Sequence, residues 1–181
     1  AYVYVTPPPR ESLFRLYVLG EEKMFEHYFP DENATVKPDV ALRWYVGVTN
    51  LMGSVQCVAV KAKLGNATTQ SPSGADGTPA PVPALIELRR VLLDNETWEI
   101  PLAWKVTEVR QDGDVVSLVL DMNGVEVEPI VHAISGDNFR VMFELWTLTP
   151  GSGDMSLGWI DRSSGERRAT WLQVWFNVTA T

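Results

Sequence analysis

The chain has 181 residues, a formal net charge of −8, 45% hydrophobic and 21% charged residues, the balance of one globular domain with a sizeable core. The acidic charge argues against nucleic acid as a partner, because phosphate binding needs clustered Lys and Arg and only two short pairs occur, Arg89-Arg90 and Arg167-Arg168. No apolar run approaches the ~18 residues needed to span a bilayer, and the single cysteine, Cys57, excludes an intrachain disulfide.

The first element is a short strand-type run, Tyr2, Val3, Tyr4 and Val5, cut off from the rest of the chain by Pro7, Pro8 and Pro9. The start at Ala1, without methionine, reads as a processed mature protein. Residues 13 to 19 (LFRLYVL), 41 to 50 (ALRWYVGVTN) and 55 to 65 (VQCVAVKAKLG) then read as strands, separated by Gly, Pro, Asp and Asn clusters. Period-two alternation puts Leu42, Trp44, Val46 and Val48 on one buried face, and Val58, Val60, Ala62 and Leu64 on another. Residues 50 to 54 predict a hairpin turn between these two strands, and Cys57 is expected as a buried thiol.

Residues 66 to 84 (NATTQSPSGADGTPAPVPA) hold almost no large apolar side chain, which predicts a long surface loop. The next run, 85 to 93, has helical propensity, but Pro83 before it and DNETW after it favour a strand. Further strands are expected at WEIPLAWKVTEV, DVVSLVLDM, NFRVMFELWTL, MSLGWID and ATWLQVWFNVT, with hairpin turns at residues 111 to 114 and at Asn123-Gly124. Without an amphipathic helix or a repeat of ~20 to 50 residues, the expected fold is a single all-β sandwich or jelly roll over residues 11 to 181, preceded by an N-terminal arm over 1 to 10.

Four of the seven asparagines lie in Asn-X-Thr triplets, at Asn33, Asn66, Asn95 and Asn177, where chance would give about one. The excess predicts a secreted, N-glycosylated protein, and glycosylation without disulfides suits an archaeal cell surface. In the last predicted strand, Leu172, Val174, Phe176 and Val178 fall on one face, and Trp171, Gln173, Trp175 and Asn177 on the other. A glycan on Asn177 requires that second face to be exposed, so Trp171 and Trp175 are candidates for contact with a glycan, a carbohydrate ligand or another subunit, unless a further segment of the same domain covers them.

Chemistry-bearing patterns are few. His27 and His132 lie far apart without metal-ligand spacing, no serine has a Gly-x-Ser-x-Gly setting, and GSGDMSLG lacks the Lys of a phosphate loop. The acidic turns are turn formers first, without a twelve-residue calcium loop. No enzymatic activity, cofactor or metal is expected.

The segments FRLYVLG, NATVKPDVALRWYVGV and NETWEIPLAWKV together resemble the extracellular β-domain of a family of archaeal predicted membrane proteins of unknown function. The resemblance covers about two thirds of the chain and implies an archaeal cell-surface setting and a β-sandwich; it implies no catalytic residue. Polyproline rises ~3.1 Å per residue, so residues 6 to 10 form a stiff arm of about 15 Å. Such an arm suits a strand, residues 2 to 5, delivered to the open edge of another subunit, a head-to-tail contact that generates a filament. The layout is similar to that of surface fibres whose β-sandwich subunits are joined by donor strands. The expected function is a structural, self-assembling filament subunit; a carbohydrate-binding or adhesion module and a shed membrane-protein ectodomain are the alternatives.

Overall fold

The computed structural model describes residues 11 to 179, and the predicted donor strand (Tyr2 to Val5) and spacer (Pro7 to Pro9) lie outside them. The described chain is an all-β sandwich. Its first sheet has the order β1 (Leu13–Leu19), β3 (Leu42–Leu51), β6 (Thr97–Asp112), β7 (Val115–Met122) and β8 (Val125–Val127), with β9 (His132–Ile134) also on β7. The second has the order β2 (Thr35–Val36), β14 (Trp171–Val178), β10 (Phe139–Leu148), β4 (Gln56–Gly65) and β5 (Ala84–Leu92), with β11 (Met155–Leu157) also on β10. A two-stranded ribbon, β12 (Trp159–Ile160) and β13 (Arg167–Arg168), closes one end. All these pairings are antiparallel except that of β2 with β14. Among the described residues no helix is long and apolar enough to cross a membrane.

The alternating sets predicted for β3 and β4 are buried, and they face each other across the interior. Aromatic rings join the two layers: Trp44 meets Trp104 at 5.1 Å between centroids, Trp104 meets Phe176 at 5.3 Å, and Phe176 stacks on Phe139 at 5.7 Å. Edge-on and offset contacts of this kind add to the area buried. Cys57, expected as buried, is only half-buried, because Val58 takes the inward position and the alternation turns its neighbour outward.

The predicted hairpin between β3 and β4 does not form. β3 pairs with β1 and β6, whereas β4 pairs with β10 and β5, so residues 52 to 55 carry the chain from one sheet to the other. Asn50 holds this corner. Its buried side-chain amide donates to the carbonyls of Ser54, Leu92 and Leu93 at 2.8, 3.2 and 3.1 Å, and its Oδ1 accepts the Met52 N–H at 2.9 Å. Met52 is drawn in beneath the corner and is itself buried. Asn50→Ala leaves the buried Leu92 carbonyl and Met52 N–H without this partner and is expected to cost about 2–3 kcal/mol, measured by denaturant unfolding.

The two other predicted turns are hairpins: β6 and β7 meet through Gly113 and Asp114, β7 and β8 through Asn123 and Gly124. Asn123 and Gly124 both have positive φ, +51° and +83°, the twist a two-residue hairpin loop needs. MSLGWID is split at Gly158 (φ +75°), whose N–H bonds to Leu145 and whose Cα passes so close to the Arg168 carbonyl that a Cβ would stand 1.9 Å from it.

Candidate functional site

The last strand carries the feature of most interest. Along one side, residues 171 to 176 of β14 pair with residues 139 to 144 of β10. Along the other, among the described residues, β14 pairs only with β2, at Asn177 and Val178. The backbone of residues 171 to 176 therefore has an open edge among the described residues.

Side-chain burial follows the same division. The inward alternation read from the sequence holds, but Phe176 and Val178, next to β2, are 1% and 3% exposed, while Leu172 and Val174, along the open stretch, are only half-buried although they pack on the core. Among the described residues no strand flanks this stretch, and an edge residue is covered by its own sheet on one side only. β14 also carries no charged residue. β5, at the other edge of the same sheet, is studded with Glu87, Arg89 and Arg90, all exposed, the usual protection of an edge against further pairing.

Chain entry lies beside this edge. The Glu11 carboxylate is 3.7 Å from the Arg168 guanidinium, three residues before β14 begins, and β1 and β14 are in contact on the same side of the sandwich. Leu13 pairs with Leu51, so β1 starts at the end of the sandwich where β14 starts.

The outward face of β14 is neither bare nor wholly covered. Trp175 is 40% exposed and Trp171 half-buried. Arg140, buried on β10, places its guanidinium 5.0 Å from the Trp175 ring centre and donates to Gln173 Oε1 at 2.6 Å, to Ser71 Oγ at 2.9 Å and to the Thr69 carbonyl. Burial pulls this guanidinium below its ordinary pKa, although it remains a cation at any physiological pH. The ring and the oxygen acceptors supply its compensation.

Ser71 and Thr69 belong to the 66 to 84 loop, which crosses the outer face of the second sheet as a third layer. Gly74 reaches Ala169 and Gly77 reaches Arg167, on the far side of β10. Beneath the loop, Lys63 of β4 and Glu144 of β10 form an ion pair at 2.9 Å, 4% and 0% exposed. Every polar group is matched: Glu144 also accepts the Ala80 N–H at 2.8 Å and the Trp146 Nε1–H at 2.9 Å, and Lys63 also donates to the Ala80 carbonyl at 2.9 Å. Lys61 lies 3.5 Å above the Trp146 ring centre. Ala80 is thus clamped through both its backbone groups by one acid and one base.

The four glycosylation triplets divide between the two ends. Asn33 is exposed, and Asn177 stands opposite Thr35 in the β14–β2 pairing, so two triplets adjoin. Asn177 is half-buried, its Oδ1 accepting the Asn138 N–H at 2.9 Å. Asn66, also half-buried, lies at the same end, its amide donating to the His132 carbonyl at 2.8 Å. Asn95 is exposed in the β5–β6 turn at the opposite end, where its N–H meets the Asn50 carbonyl.

Sequence reasoning named the two tryptophans but missed Arg140 beneath Trp175, the Lys63–Glu144 pair and the open stretch of β14. No family model matches this chain, and no curated protein is significantly similar to it.

Proposed function

We propose that this chain is the structural subunit of a secreted, N-glycosylated archaeal extracellular filament that polymerises head to tail through its N-terminal strand. The observation that supports the reading is the uncharged edge of β14, open among the described residues, with Leu172 and Val174 half-buried along it. Tyr2, Val3, Tyr4 and Val5 are uncharged and of strand type, the composition such a slot accepts; Pro7, Pro8 and Pro9 stiffen the arm that delivers them. Each subunit gives one strand and receives one, a contact that repeats without closing. N-glycans on Asn33, Asn66, Asn95 and Asn177 would cover both ends of the sandwich.

Electron microscopy of the intact protein against a form lacking residues 1 to 9 tests this. Filaments are expected from the first and a folded, soluble domain from the second. Abundant filaments from the truncated form overturn the reading.

A second reading, a carbohydrate-binding or adhesion surface, draws on Trp175, whose exposed ring is held by Arg140. It requires that alanine at both Trp171 and Trp175 abolish glycan binding; unchanged binding rejects it.

A further inference from the structure

We infer that two adjoining glycosylation triplets are modified in different states of the chain: Asn177 takes a glycan only before the end of β14 docks, whereas Asn33 remains an acceptor on the folded domain. The inference rests on the glycosylation reading and adds to it what the transferase must meet at each site.

Transfer joins the asparagine Nδ2 to the anomeric carbon of a sugar. It breaks that carbon's bond to the phosphate oxygen of a lipid-linked donor, and the lipid phosphate leaves with the amide proton. The acceptor triplet offers the asparagine amide and the hydroxyl two residues on, and it is a motif of surface loops. The triplet at Asn177 is not in a loop. Its three backbone N–H groups are all engaged, Asn177 with the Ala34 carbonyl at 2.8 Å, Val178 with that of Gly136 at 2.8 Å and Thr179 with that of Val36 at 3.3 Å. The Asn177 Oδ1 accepts the Asn138 N–H at 2.9 Å, and the Thr179 hydroxyl oxygen is buried. Exposing both groups to an enzyme means withdrawing this end of the strand, and with it Phe176 and Val178, which are buried in the core. A glycosylated amide keeps its carbonyl oxygen, so the bond from Asn138 survives a glycan added earlier.

Asn33 differs on each count. It is exposed and Thr35 only half-buried, and its Oδ1 accepts the Thr35 N–H at 3.0 Å, the local bend of an asparagine turn. β2, which follows it, is two residues long and outermost in its sheet, whereas Asn177 and Val178 are held by β2 on one side and by residues 136 to 138 on the other. Short edge segments open at the low end of the range of local free energies, and strands anchored in the core at the high end.

The test is transfer by a purified archaeal oligosaccharyltransferase, with its lipid-linked donor, to the folded, unglycosylated chain and to its tryptic peptides, site occupancy being read by mass spectrometry. The peptides carry each triplet without tertiary structure, Asn177 in the one that begins at Ala169. Relative to its own peptide, Asn177 in the folded chain is expected to react at least ~100-fold more slowly, and Asn33 within ~10-fold. In Gly136→Ala the added Cβ would stand 2.3 Å from the Val178 carbonyl oxygen, which forces the end of β14 to shift. Transfer to Asn177 in that folded variant is expected to rise at least ~10-fold while transfer to Asn33 stays the same; an unchanged rate at Asn177 overturns the part given to docking. Equal slowing at the two sites, or none at Asn177, overturns the division and leaves the glycosylation reading standing. No transfer to any of the four peptides overturns the glycosylation reading itself.

Discussion

Glu144→Ala is expected to lower stability by about 3–5 kcal/mol, the range for removing one partner of a buried ion pair. The substitution strands three groups at once: the Lys63 ammonium, the Ala80 N–H and the Trp146 Nε1–H, all of which now point at the carboxylate. The 66 to 84 loop then has a way to relieve the strain, by lifting off and letting water reach Lys63. Limited proteolysis should consequently show faster cleavage within residues 66 to 84 together with the fall in unfolding midpoint. Replacing both partners, Lys63→Met with Glu144→Leu, should recover part of the loss by removing the unpaired charge, but not all of it, since Ala80 and Trp146 still lack an acceptor. A Glu144→Ala protein with unchanged stability and an uncleaved loop would show that the clamp does not hold the third layer.

Trp104→Ala should cost a similar ~3–5 kcal/mol, here through an empty volume in the core. Trp104 is fully buried and touches both Trp44 of its own sheet and Phe176 of the opposite one. Its loss leaves a gap that rigid strands on either side cannot close. Because Phe176 belongs to β14, the effect should spread to the open edge, visible as faster amide exchange along residues 171 to 178. Intact exchange there with a large loss of overall stability would mean that the aromatic contact does not position the strand.

Period two was legible nearly throughout: the inward faces of β3, β4 and β14 are those the alternation gives, and residues 84 to 92 form a strand despite their helical propensity. Alternation says which side chains turn inward but not which sheet receives them. That is why a short connection at residues 50 to 54 looked like a hairpin and is a crossing between layers, fixed by the bonds of Asn50. The 66 to 84 loop shows a second limit. Lacking large apolar side chains, it cannot fill a hydrocarbon core, yet it covers a polar one through the backbone of Ala80, and a backbone N–H and C=O are available whatever the composition. Lys63 and Glu144 are 81 residues apart in the chain, so nothing local marked them as partners. The edge of β14 that is open among the described residues could not be read locally either, because an open edge belongs to the sheet order.

The position of β14 also governs when the domain can form during synthesis. Phe176 sits at the junction of the aromatic cluster, and it arrives with the last strand of the described chain, whereas β1 opposite it arrives with the first. A nascent chain that has not yet reached β14 has an incomplete second sheet and a hole beside Trp104. Pairings of such high sequence separation close late and slowly, so the sandwich is completed only after β14 has been made.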